Sequence, residues 1–130
     1  LMKKYKSNFV TFFCLTLLTS CDPVHSLYLD NQTGKSIKVI FKPMIDIAPN
    51  GSKIETITIN KIEYAQTILD SGKQMKIGEV VARFTPNVTD IELDYLETIS
   101  GKDTIKLVGK KFRFNFLQKV EKLDWRVIIK

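Results

Sequence analysis

Few residues in this chain have types and spacings that could do chemistry, and the clearest of them is a cysteine. Cys21 closes Leu18-Thr19-Ser20-Cys21, behind an apolar run and three lysines. A thiol there is a nucleophile at the junction between an export-type segment and the domain that follows. Glu92, Asp94 and Glu97 are a second candidate, as paired carboxylates for glycoside hydrolysis. Such pairs need a groove and one carboxyl with a raised pKa. Here Asp90, Glu92 and Asp94 alternate with Ile91, Leu93 and Tyr95, which predicts the polar face of a strand and solvated charges. No catalytic residues are therefore assigned, and the chain is read as a non-enzyme.

Residues 2–20 divide into the three parts of a secretory signal. Lys3, Lys4 and Lys6 make a positive start, residues 9–18 are apolar, and Thr19 and Ser20 are small. An ordinary secretory signal would place small residues at both −3 and −1 of the cut, whereas Leu18 occupies −3. Leu, a small residue, Ser and then Cys resembles the bacterial lipoprotein signature. That resemblance implies cleavage before Cys21, a diacylglyceryl thioether on its sulfur and often a third acyl chain on its amino group. The apolar run is about half the ~20 residues a spanning helix needs, so the lipid is the expected anchor. One acyl chain binds a bilayer only reversibly, whereas two or three hold firmly.

The expected organisation is a removed signal at 1–20, the lipidated Cys21 with a short tether at 21–26, and one domain at 27–130. Five tether residues span at most ~17 Å, which keeps the domain close to the bilayer. Removing Lys3, Lys4 and Lys6 leaves 17 basic against 14 acidic residues, net +3. That mild excess does not fit nucleic-acid binding and fits weak attraction to anionic headgroups. Cys14 leaves with the signal and Cys21 carries lipid, so no disulfide is available. His25 is the only histidine, too few nitrogen or sulfur ligands for zinc. Neither a metal nor a cofactor is expected.

The elements that must position any site are strands. Residues 26–30 and 36–42 alternate around the turn-rich Asn31-Gln32-Thr33-Gly34-Lys35, which predicts an antiparallel hairpin. Further strands are expected at 53–60, 74–84, 88–99, 104–108 and 125–129, the pair 88–99 and 104–108 forming a second hairpin. Residues 60–66 read as a connection and 43–52 as a loop rich in turn residues. Gly78 inside a strand predicts a bulge or a close backbone approach. Residues 112–122 carry both periods; propensity favours a short helix. About seven strands predict an immunoglobulin-like antiparallel β-sandwich, mainly β, without the Cys…Trp…Cys of antibody domains.

Residues 27–37, 77–86 and 103–105 resemble small Lys/Ile/Asn/Phe-rich lipoproteins of Bacteroidetes-type bacteria. The resemblance implies compartment and fold rather than an activity. Surface-exported members carry an acidic patch after the cysteine, and Asp22-Pro23-Val24-His25 does not match it. The expected location is the periplasmic face of the outer membrane. Asp103-Thr104-Ile105 resembles an O-glycosylation sequon of that group, with Thr104 the acceptor. Asn31, Asn50 and Asn87 precede x-Ser/Thr and are read as turn residues.

Lys102, Lys106, Lys110, Lys111 and Arg113 form the densest basic stretch, either meeting lipid phosphates or an acidic glycan or keeping an edge strand soluble. Of the aromatic rings, Trp125 is expected in the core and Tyr28 on the surface facing a ligand. The functional expectation is a lipid-anchored module that binds an envelope protein, with the bilayer engaged through Cys21. One alternative is an accessory lipoprotein for glycan or small-ligand capture, in which Tyr28, Tyr64 and Trp125 gather on a concave patch. Another is an envelope inhibitor or immunity protein acting through the loop at 43–52.

Overall fold

The computed structural model describes residues 23–42 and 53–130. The fold begins with two alternating runs. In β1 (Val24–Asn31) Leu27 and Leu29 are fully buried and Tyr28 is half-buried; in β2 (Ile37–Lys42) Ile37, Val39 and Phe41 are buried while Lys38 and Lys42 are exposed. Period-two burial is what a pleated strand over a core imposes. There follow β3 (Glu55–Ile59), β4 (Ile62–Leu69), β5 (Gln74–Val81), a 3-10 turn (Val88–Asp90), β6 (Tyr95–Ser100) and β7 (Asp103–Val108). A six-residue helix, α1 (Lys110–Asn115), leads to β8 (Leu117–Glu121) and β9 (Asp124–Ile129).

The strands form a four-stranded sheet, β5-β1-β9-β8, and a five-stranded sheet, β3-β4-β2-β6-β7. All neighbours are antiparallel except β1 and β9, which run parallel. The protein is a mainly β sandwich, as expected. Leu27, Leu29, Val127 and Ile129 of one sheet join Val39, Phe41, Leu96 and Leu107 of the other in one buried cluster. Each such side chain contributes about 1.5–3 kcal/mol on leaving water.

β1 and β2 are not the expected hairpin. They lie in different sheets, because the apolar faces of both must meet across the core, so residues 32–36 turn a corner between layers. Asn31 holds that corner and is fully buried. Its Nδ2 donates to the carbonyls of Lys35 (2.7 Å) and Leu69 (2.8 Å), and its Oδ1 accepts from the Thr33 N–H (3.0 Å) and hydroxyl (2.7 Å). All four hydrogen-bonding positions of the amide are used.

Two strands stand where the sequence predicted none. Residues 62–69 are β4 rather than mainly a connection: Asn60 and Lys61, both at positive φ (51° and 66°), close a two-residue turn from β3. A turn of that backbone follows the natural strand twist. The stretch 112–122 divides, with α1 starting at Lys110 and β8 occupying Leu117–Glu121. Pairing with the free side of β9 outweighs helix propensity there, with Leu117 opposite Val127.

The strand expected at 88–99 is shorter. Residues 88–90 form the 3-10 turn, and β6 begins only at Tyr95. The strand at 74–84 likewise stops at Val81. Gly78 meets both expectations made of it. The β1–β5 register shifts beside it, and a Cβ there would run into the Asp90 carbonyl oxygen. The hairpin of β6 and β7 is present, with Tyr95 opposite Val108 and Ser100 opposite Asp103. At the amino-terminal side the first strand starts at Val24, ahead of the domain boundary expected at 27. Val24 already pairs with Val81, and His25 is buried opposite Val80, because the alternation of Leu27 and Leu29 continues two residues upstream.

Candidate binding face on the five-stranded sheet

Strand register sets out the solvent-side rows of the five-stranded sheet. Ile57 of β3 lies opposite Tyr64 of β4, Lys42 of β2 opposite Tyr95 of β6, and Tyr95 opposite Val108 of β7. The next row carries Glu55, Gln66, Ile40, Glu97 and Lys106. The Tyr64 and Tyr95 rings are 5.0 Å apart at 54°, a tilted aromatic pair. The Lys42 ammonium lies 5.9 Å above the Tyr64 ring centroid, within cation–π range.

Tyr95 donates its hydroxyl to Glu97 Oε2 at 2.6 Å, and Lys106 is 4.0 Å from Glu97 Oε1. Desolvation, then the hydrogen bond to Glu97, pushes the Tyr95 phenol up to about 12. At neutral pH it is an uncharged donor, committed to Glu97, and contributes a ring face rather than a nucleophile. The arrangement can offer two half-buried rings, an exposed cation and flanking apolar side chains (Ile57, Val108). Those features suit a partner surface with apolar and acidic groups.

Alternation along 91–95 places Tyr95 on the same face as Ile91 and Leu93, but Tyr95 lies on the opposite one. Ile91 and Leu93 are buried; the chain then bends at Asp94, whose N–H donates to the Lys42 carbonyl (2.7 Å) and whose carbonyl accepts from Gly109 (3.0 Å). After that bend Leu96 takes the inward position. Glu92 and Asp94 are exposed as expected, though outside a strand, whereas Glu97 is 8 % exposed under the Tyr95 hydroxyl.

Tyr28, Tyr64 and Trp125 do not gather. Tyr28 lies on the other sheet, between Lys76 and Arg126 in register. Trp125 packs against the core, where its indole nitrogen has no hydrogen-bond partner. Beside Tyr28 the outer face is laced by ions. Arg126 spans Asp124 (2.6 Å) and Asp30 (3.0 Å), which hold its guanidinium firmly charged. Thr104 is exposed on β7, an edge strand.

The basic stretch does not act as one patch. Lys106 decorates the β7 edge, in keeping with edge protection, but Arg113 is fully buried. It donates to the Leu107 carbonyl (3.0 Å) while Nε and Nη2 lack partners, and desolvation lowers its pKa. Nothing in its Lys-rich sequence neighbourhood signals that burial. His25 is also buried with both ring nitrogens unpartnered. Cys21, the signal expected at 1–20 and the loop expected at 43–52 lie outside the described residues. Among the described residues no helix is long and apolar enough to cross a membrane, and no group of three or more His, Cys, Asp or Glu could hold a metal ion. No protein-family model, curated protein or solved structure matches the chain.

Proposed function

We propose that this chain is an exported, lipid-anchored binding module of the cell envelope, without enzymatic activity. Its acyl-bearing Cys21 holds the sandwich at the membrane, and the Tyr64–Tyr95 face receives a protein partner there. The observation that carries the reading is Leu18-Thr19-Ser20-Cys21 placed three residues ahead of the first strand. A lipid anchor on so short a tether confines the domain to two dimensions and raises its effective concentration towards membrane-held partners. The periplasmic face of the outer membrane is the proposed location, on the sequence after the cysteine.

The test is recovery of partners from detergent-solubilised envelopes with the full chain and its Lys42→Glu variant. The expected result is a reproducible protein partner held by the wild type and weakened by reversing the charge above Tyr64. Absence of any reproducible protein partner would contradict the reading. Retention equal to wild type by the variant would move the contact to another face.

A further inference from the structure

Five of the eleven large hydrophobic residues exposed among the described residues converge on one end of the four-stranded sheet: Val24, Val81, Phe84, Val120 and Leu123. Strand register requires this convergence. Val24, the first residue of β1, pairs with Val81, the last of β5. β9 runs parallel to β1, with Leu27 beside Trp125, so the β8–β9 turn at Lys122-Leu123 lies level with the start of β1. Phe84 follows β5 and is tied to that turn by Lys122, whose ammonium is 5.9 Å from the ring centroid. Val24 is 57 %, Phe84 60 % and Leu123 36 % exposed, so this end offers partly uncovered apolar side chains to its surroundings.

We infer that this end of the sandwich is a membrane-docking surface, with Phe84 and Leu123 at the headgroup boundary of the bilayer that holds Cys21. The inference rests on the reading of Cys21 as acylated and adds a second, non-covalent contact. Three features select a bilayer over another occupant. The chain from Cys21 to Val24 is three residues, which reaches at most ~11 Å, so an acylated cysteine brings these side chains to the lipid surface. The apolar residues stand at strand ends and in a turn, Val24 opening β1, Val81 closing β5 and Leu123 between β8 and β9, where exposed side chains can meet a flat surface together. Its charges also match: Lys119 and Lys122 are exposed beside it, Glu121 is the exposed carboxylate there, and Asp124 and Asp90 are engaged by Arg126 and Arg83. Tyr64 and Tyr95 belong to the other sheet's outer face, which leaves them open to a partner while the end is docked.

The processed chain has no free thiol on this reading, so one introduced cysteine carries a unique probe. Phe84→Cys, Leu123→Cys and, at the opposite end, Lys102→Cys are nitroxide-labelled on the full lipidated chain in phosphatidylethanolamine–phosphatidylglycerol vesicles. Electron paramagnetic resonance then compares collisions with oxygen and with a water-soluble nickel complex. The expected result is several-fold lower nickel access at 84 and 123 than at 102. Equal nickel access at all three overturns docking, as does dipolar broadening that marks a second copy at this end. The intact mass of the same sample reports acylation separately. An acylated chain with wet labels overturns docking and leaves the anchor. An unacylated chain whose labels still enter the bilayer supports docking alone, and an unacylated chain with wet labels overturns both.

Discussion

Replacing Asn31 by Asp is the sharpest perturbation of the corner that joins the sheets. The side chain keeps its shape, and one oxygen still accepts from Thr33, but the Nδ2 donors become an oxygen facing two carbonyls. Two lost hydrogen bonds amount to about 1 kcal/mol each, and the Leu69 carbonyl, left buried against an acceptor, adds about 1–3 kcal/mol. The expected cost is about 3–5 kcal/mol, against a usual total stability of about 5–15 kcal/mol. At about 4 °C per kcal/mol for a domain of this size, the midpoint falls by about 12–20 °C. The penalty also depends on pH. Burial opposite two carbonyls raises the introduced carboxyl's pKa above its unfolded value of about 3.9. The unfolded state then releases its proton first, so stability falls as pH rises from about 4, and the loss is smallest below that. Thermal unfolding followed by circular dichroism across pH measures both. A midpoint within about 3 °C of wild type at pH 7 would refute the four-bond corner.

Gly78→Ala drives a methyl into the Asp90 backbone and is expected to destabilise by about 1–3 kcal/mol; a denaturant midpoint unchanged from wild type would contradict the close approach. Tyr95 titrates at about 12 in the fold, so its contribution to stability is intact below about pH 10 and is lost as pH rises through 12. Ultraviolet titration should show a late phenolate step absent in Tyr95→Phe, and an identical curve for the two chains would argue against the Glu97 bond. Arg113→Met removes a fully buried guanidinium with two unpartnered nitrogens and is expected to leave stability unchanged or raise it by about 1 kcal/mol or more. A clear loss in the same denaturant assay would mean that those nitrogens are satisfied in solution.

Much of the sandwich is legible because period-two alternation reports which side of a strand is buried. Leu27 and Leu29, Ile37, Val39 and Phe41, and Val127 and Ile129 all follow it, while Ile40 is buried on the other side of β2. Alternation does not say which strand pairs with which. Residues 27–41 have the pattern of a hairpin and also of a corner between sheets, and only long-range partners separate the two: β5 and β9 beside β1, β4 and β6 beside β2, and Leu69 bonded to Asn31. The β3–β4 turn escaped because Asn60-Lys61 lacks glycine, yet both residues take positive φ. β8 escaped because its sequence prefers helix while its neighbour requires a strand.

The Tyr64–Tyr95 face is half legible in the sequence. The Tyr64 ring is plain in the sequence, but its pairing with Tyr95 depends on the bend at Asp94, held by backbone bonds to Lys42 and Gly109 that no local signal announces. Arg113 was hidden for a related reason, since a cation among lysines reads as surface until the helix that carries it is packed. The apolar end at Val24 and Phe84 comes from register alone, because its five residues are spread over a hundred positions of sequence.

The intact mass of the chain extracted from bacterial membranes tests the central claim most directly. The expected polypeptide begins at Cys21 and is heavier than its sequence by a diacylglyceryl group, with or without a third acyl chain, and Cys21→Ala loses that mass and membrane retention. A chain that begins elsewhere, or that begins at Cys21 with a free thiol, would contradict it.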